Sequence, residues 1–226
     1  MSSLFITESA EVTIALFDVV RTHIIPSDVN PLIYLSKLGL YGLLSPIISI
    51  KNKIGHSKWL GKRDNFGRTA LMYAARHGYF ECVKILADTK EIKMKDREGL
   101  TALMHAAKEN NYDVIDLLSK EIGMRNNNGE TALILATINN SVKSVEILSK
   151  KEIRITTTKD KRTALMYAAK HNRTELIKYL KRELKMKDIN EKTALIHAIY
   201  NKHYDGIPLI SCEKLLADDE GNNALS

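Results

Sequence analysis

Cysteine, tryptophan, proline and long apolar runs are all scarce in this chain of 226 residues. Its two cysteines, Cys82 and Cys212, lie far apart and at unlike places in a periodic pattern. That excludes a disulfide framework and the spaced pairs of a zinc site. Cys82 occupies a place filled elsewhere by Val114 and Leu176, so it reads as a small buried apolar residue in a reducing setting. The most apolar stretch, Leu38 to Ile50, contains Gly, Ser and Pro and falls short of the roughly 20 residues a membrane span needs. No basic leader opens the chain, and Glu8, Glu11 and Asp18 interrupt its first apolar residues, unlike a secretory signal. A cytoplasmic protein without membrane insertion is expected, compatible with nuclear or cytoskeletal association. Aromatics make up only 6%, which disfavours one bulky core. The net charge of +7 comes from dispersed lysines and arginines, with no block of five or six. Such a distribution reads as a solvated surface, since a polyanion site clusters its charge.

What the chain does have is repetition. The string TALMYAA occurs at Thr69 to Ala75 and again at Thr163 to Ala169. Looser copies start at Thr101, Thr131 and Thr193, so the steps are 32, 30, 32 and 30 residues. A period of this size marks a stacked-repeat array in which each unit buries its apolar face against its neighbours.

Each unit predicts three parts. A turn comes first, with Asp or Asn five residues before the Thr (Asp64, Asp96, Asn126, Asp188, Asp218) and Gly two before it at Gly67, Gly99, Gly129 and Gly221. Lys161 and Glu191 replace that glycine, so those turns must change conformation or carry strain. A short helix follows, with the Thr as its N-cap, contributing about 0.5–2 kcal/mol, and small residues along one face. It stops nine residues after the Thr at Gly78, Asn110, Asn140 and Asn172, residues that tolerate the left-handed terminal position, while Lys202 departs from this rule. A second, longer helix is expected next, with apolar residues at Val83, Ile85 and Leu86 and their equivalents. In the fifth copy Gly206 and Pro208 fall inside that helix, which predicts a weak C-terminal end.

The expected organisation is an N-terminal capping helix in residues 1–25, then a degenerate first repeat and long loop over 26–61 holding Asn30-Pro31-Leu32 and Trp59. Five regular repeats over 62–215 follow, and 216–226 begin a truncated sixth. Trp59 is expected to pack over the first regular hairpin, with an exposed binding anchor as the alternative.

No catalytic constellation emerges. His105 and His197 share one place in the repeat and His77 and His171 another, but each pair is three repeats apart. With stacked helices about 8–10 Å from each other, neither pair can share a metal. Asp96 and Asp188 have turn roles. No phosphate loop, zinc-binding HExxH or nucleophile elbow occurs. No enzymatic activity, metal or cofactor is expected.

Asp-x-x-Gly-x-Thr-x-Leu followed by Ala-Ala, built as a turn and two helices, resembles the ankyrin repeat, from about Asp28 to the C-terminus. Two departures recur: Ala follows the Thr where the family has Pro, and Met72, Met104, Ile134, Met166 and Ile196 stand where it has His. In this dialect the chain is similar to the ankyrin-only repeat proteins of diplomonad parasites. The resemblance implies an all-α solenoid of stacked helix-turn-helix units with protruding turns. It further implies a monomeric, non-catalytic scaffold binding a protein through its concave face. The turn tips there would be Phe66, Arg68, Arg97, Leu100, Arg162, Ile189 and Lys192. The first-helix positions would be Tyr73, Arg76, His77, His105, Lys108, Leu135, Ile138, Tyr167, Lys170, His171, His197 and Tyr200. The fifth letter of the repeated string (Tyr73, His105, Leu135, Tyr167, His197) is the one framework position expected to be free for a partner. Two alternatives stand beside this reading. One is a basic nucleic-acid-binding module, disfavoured by dispersed charge and the lack of a stacking platform. The other is the ankyrin arm of a larger regulatory, kinase-like protein, although no kinase motif lies in this chain.

Overall fold

The computed structural model describes residues 15, 19, 21–23, 25, 26, 29–49 and 59–211. Most of the expected capping helix, residues 50–58 of the long loop and the start of the sixth repeat lie outside the described residues. Among those described there is no strand. First helices α1 (Pro31–Lys37), α3 (Ala70–His77), α5 (Ala102–Lys108), α6 (Ala132–Ile138), α8 (Ala164–Lys170) and α10 (Ala194–Tyr200) each pack on the next in chain order. Behind them lies a second layer: α2 (Tyr41–Ser49), α4 (Phe80–Leu86), the 3₁₀ segments Tyr112–Val114 and Asp116–Glu121, α7 (Val142–Leu148), α9 (Ile177–Leu180) and α11 (Ile207–Ile210). Apart from α2, with nine residues against seven in α1, the α-helices of this layer are no longer than the first helices. Several tighten into 3₁₀ turns, a geometry proteins use in short pieces.

The small-residue stripe explains how closely the first layer stacks. Ala74, Ala75, Ala106, Ala107, Ala136, Ala168, Ala169 and Ala198 are all buried, as are Met72, Met104, Ile134, Met166 and Ile196, which pack as core. The core is therefore a thin continuous sheet of side chains running the length of the stack. Cys82 belongs to it, and burial pushes its thiol up to about 11, so it is inert. Trp59 is half-buried against this core, with the Arg21 guanidinium 5.9 Å from its ring.

Every first-helix reversal uses the left-handed conformation. Gly78, Asn110, Asn140 and Asn172 have φ of 71°, 59°, 58° and 54°, and Lys202 adopts 60° despite its side chain. Two of the reversals are also tied to the preceding unit: Asn111 donates to the Arg76 carbonyl at 2.6 Å, and the Ser141 hydroxyl to that of Lys108 at 3.0 Å. The expected disruption at Pro208 is absent. Pro208 lies in the first turn of α11, whose N-cap is Gly206, where a missing N–H removes no helical bond.

Candidate partner-binding surface

The turns define one border of the surface. One side-chain oxygen of Asp64, Asp96, Asn126 and Asp188 accepts the backbone N–H groups two and four residues on, at 2.8–3.0 Å. Each turn then bonds its neighbour, as Arg97 N–H to Phe66 carbonyl and Asn127 N–H to Glu98 carbonyl, both 3.1 Å. Gly99 fits this contact for two reasons: its φ is 78°, and a Cβ there would lie 2.6 Å from the Asn127 nitrogen. Lys161 and Glu191 keep the same left-handed backbone, at φ 54° and 57°, and carry its strain. Only the Glu191 turn keeps the shape; the Lys161 turn is one residue longer, closed by the Thr157 N–H on the Arg162 carbonyl at 2.8 Å.

The second side-chain atom of each turn residue decides what the fifth letter of the string must be. Tyr73 donates to Asp64 Oδ2 at 2.6 Å; His105 and His197 Nε2 lie 2.9 Å from Oδ2 of Asp96 and Asp188. In the Asn126 turn the second atom is a donor, satisfied by Glu130 at 2.8 Å, and the helix carries Leu135. Turn and helix thus match within each unit. Tyr73, His105, Leu135 and His197 are all buried, which corrects the expectation that this position is free for a partner. Tyr167, whose turn has a Thr157 hydroxyl in place of the carboxylate, is half-buried and stacks on His171 at 6.4 Å. Leu100, expected on a tip, is 1% exposed and joins the core. Ile138 also packs against the core with only part of its side chain outward.

Electrostatics reinforce the lock. Burial pushes the pKa of Asp96 up, but the bonds from His105, Leu100 and Glu98 outweigh it and leave it lowered. Asp64 is likewise lowered, its burial outweighed by Tyr73, Arg68 and Phe66. His197 is lowered by burial despite Asp188. Arg68 and Arg162 point Nε at Asp96 and Asp188 of the next turn, both at 3.6 Å, so they are framework as well as tip.

A second buried network was missed in the sequence. Glu91, Glu121, Glu152 and Glu183 are at most 1% exposed. One oxygen of each accepts the N–H of Leu71, Leu103, Leu133 or Leu165 at 2.7–2.8 Å, near the start of its own unit's first helix. The other accepts from Gly61, Lys93, Gly123 or Arg154 at 2.8–2.9 Å, residues about 30 earlier that all have positive φ. Each carboxylate therefore staples two units. Burial raises all four pKa values, opposed by these bonds and by hydroxyls of Thr69, Thr101, Thr131 and Thr163. The expected Thr cap bond is weak or absent: Thr101 and Thr163 accept from Met104 and Met166 at 3.4 and 3.3 Å, while Thr69, Thr131 and Thr193 make none. The strings Lys90-Glu91-Ile92, Lys120-Glu121-Ile122 and Lys151-Glu152-Ile153 carried the signal.

What remains outward is narrower than expected. Phe66, Ile189 and Tyr200 are 61%, 55% and 54% exposed, and Arg97, His77 and His171 are exposed too. Arg76, Lys108, Lys170 and Lys192 are partly exposed on the first helices and tips. Among the described residues no group of His, Cys, Asp and Glu is arranged to hold a metal ion, and no helix is long and apolar enough to cross a membrane.

A family model for ankyrin repeats (3 copies) matches residues 30–125, 89–159, 117–188 and 151–223, together most of the chain. The chain is an ankyrin-repeat protein. No curated protein matches it. Among solved structures, this ankyrin chain is similar to the ankyrin repeat domain of Bcl-3, a member of the IkappaB family, with a TM-score of 0.75 at 18% identity. That likeness spans 88% of this chain and 93% of the other, and shows the fold. A chain in the complex of the Bdellovibrio bacteriovorus predatory endopeptidase Bd0816 with immunity protein Bd3460 is similar at 29% identity and a TM-score of 0.62. It spans 81% of the ankyrin chain and 97% of that one.

Proposed function

We propose that this ankyrin array is a non-catalytic protein-interaction module that meets its partner through the turn tips and the outward face of the first helices. One observation carries the reading. The buried frame repeats from unit to unit, whereas the outward positions vary and hold Phe66, Arg97, Ile189, Arg76, Lys108, Lys170, His171, Lys192 and Tyr200. Large apolar and cationic groups of this kind supply binding hot spots, and the Phe66 and Ile189 side chains stay outside the buried core. Membership of a family of interaction modules supports a protein partner, as does the similarity to a structure described as a complex with an immunity protein. The test replaces Phe66, Arg76, Lys170 and Ile189 together by Ala and compares proteins captured from the native cell. Loss of specific partners with an unchanged thermal melt supports the assignment; an unaltered set of captured proteins refutes it.

A further inference from the structure

The last residues of the first helices form a row with one sign of charge. Seven positions after the cap stand Lys37, Arg76, Lys108, Ile138, Lys170 and Tyr200, each on a helix packed against the next. No acidic residue interrupts this row. Beside it lie Asp64, near Lys37 but already bonded to Tyr73, and Glu109, whose exposed ion pair with Arg76 at 3.3 Å is of a kind that contributes little. Lys37 stands 4.2 Å over the ring of Tyr73, which the Asp64 bond holds in place, so this cation is positioned from below. Among the described residues Lys108 and Lys170 have no carboxylate within ion-pair distance.

We infer that the row binds an acidic polypeptide segment lying extended across the stack, with an acidic side chain at every third residue. Stacked helices repeat at about 8–10 Å. An extended chain in the polyproline II form turns once every three residues with a rise of about 3.1 Å each, so every third side chain returns to the same face about 9 Å on, one unit along. Lys37, Arg76 and Lys108 then face three acids in that register. Ile138 faces an apolar residue at the next step, and Lys170 a fourth acid after it. Nucleic acid fits less well. Duplex DNA carries a charge about every 1.7 Å of its axis, far denser than this row.

The inference rests on the interaction reading above, and its test separates the two. The probe is a labelled synthetic peptide with Glu at every third position and Leu at the step facing Ile138. Its control has the same composition with the acids gathered in one block. Binding to the whole chain is followed by fluorescence anisotropy, with oligouridylate of equal length as a third probe. The expected result is affinity for the spaced peptide at least about tenfold above the block peptide. It should be lost in Arg76→Glu/Lys108→Glu/Lys170→Glu without a change in melt, and restored when that variant meets a peptide with Lys in place of Glu. Equal affinity for both peptides, or tighter binding of oligouridylate, overturns the inference. If the spaced peptide fails but the charge-reversed variant still loses its cellular partners, the acidic-segment inference alone falls. If that variant keeps those partners, the interaction surface falls with it.

Discussion

Leu71, Leu103, Leu133 and Leu165 each present a backbone N–H near a helix start, where no earlier carbonyl of that helix can accept it. A buried glutamate from the far end of the unit takes that role, and its second oxygen holds the previous unit. Both oxygens accept, so an amide is a poor substitute: its NH2 must face an N–H. Glu121→Gln is expected to cost about 1–3 kcal/mol in urea unfolding at neutral pH. Its pH dependence follows from the raised folded pKa. The native state takes up a proton relative to the unfolded chain, so the contribution of Glu121 is full below its ordinary 4.5 and declines as pH rises through the folded value. The stability advantage of the native chain over Glu121→Gln should therefore shrink from pH 4 towards pH 8. An advantage that grows with pH would contradict it. Asp64 and Asp96 run the other way: held below their ordinary 3.8, they lose their contribution only as pH falls through their folded values. The fifth-letter lock is testable at the same scale. Asn126→Asp alone sets a carboxylate against that of Glu130, which now accepts from Asn126 at 2.8 Å, and Leu135→His alone places a ring without an acceptor. Together they rebuild the Asp96–His105 pair, so a double-mutant cycle should show favourable coupling of about 0.5–3 kcal/mol.

Among the elements, the strained turns make the sharpest forecast. Lys161 and Glu191 hold a backbone that glycine adopts freely. Lys161→Gly and Glu191→Gly should each stabilise the array by about 0.5–1 kcal/mol in denaturant melts, since the αL strain outweighs the entropy that glycine adds to the unfolded chain. Gly99→Ala should destabilise by more than about 1 kcal/mol, because its Cβ meets the backbone of the next turn as well. Much of this layer was legible in the sequence: the period, the Asx turns, the small-residue stripe, and helix stops at Gly78, Asn110, Asn140 and Asn172. Each of these is local, written within a few residues of where it acts. The misreadings have one origin. Tyr73 and His105 carry polar tips that look outward in a helix, and only the turn folded back over them, nine residues earlier, shows that those tips are bonded. Glu91 and its equivalents look like surface charge after an apolar run, because their partners lie about 20 and 30 residues away. Pro208 read as a helix breaker because the element's start was placed too early.

For the whole molecule, stability is a sum of units and the interfaces between neighbours. Two sets of polar residues thus divide by direction: one turned inward to join turns, helices and units, the other outward along the stack. The measurement that tests this division most directly compares two triple variants in parallel. An inward set, Tyr73→Phe, His105→Phe and Glu121→Gln, is set against an outward set, Arg76→Glu, Lys108→Glu and Lys170→Glu, each read by denaturant midpoint and by partner capture below the midpoint. The inward set is expected to lower the midpoint and retain binding, while the outward set keeps the midpoint and loses binding. An outward set that melts early, or an inward set that is stable but no longer binds, would contradict it.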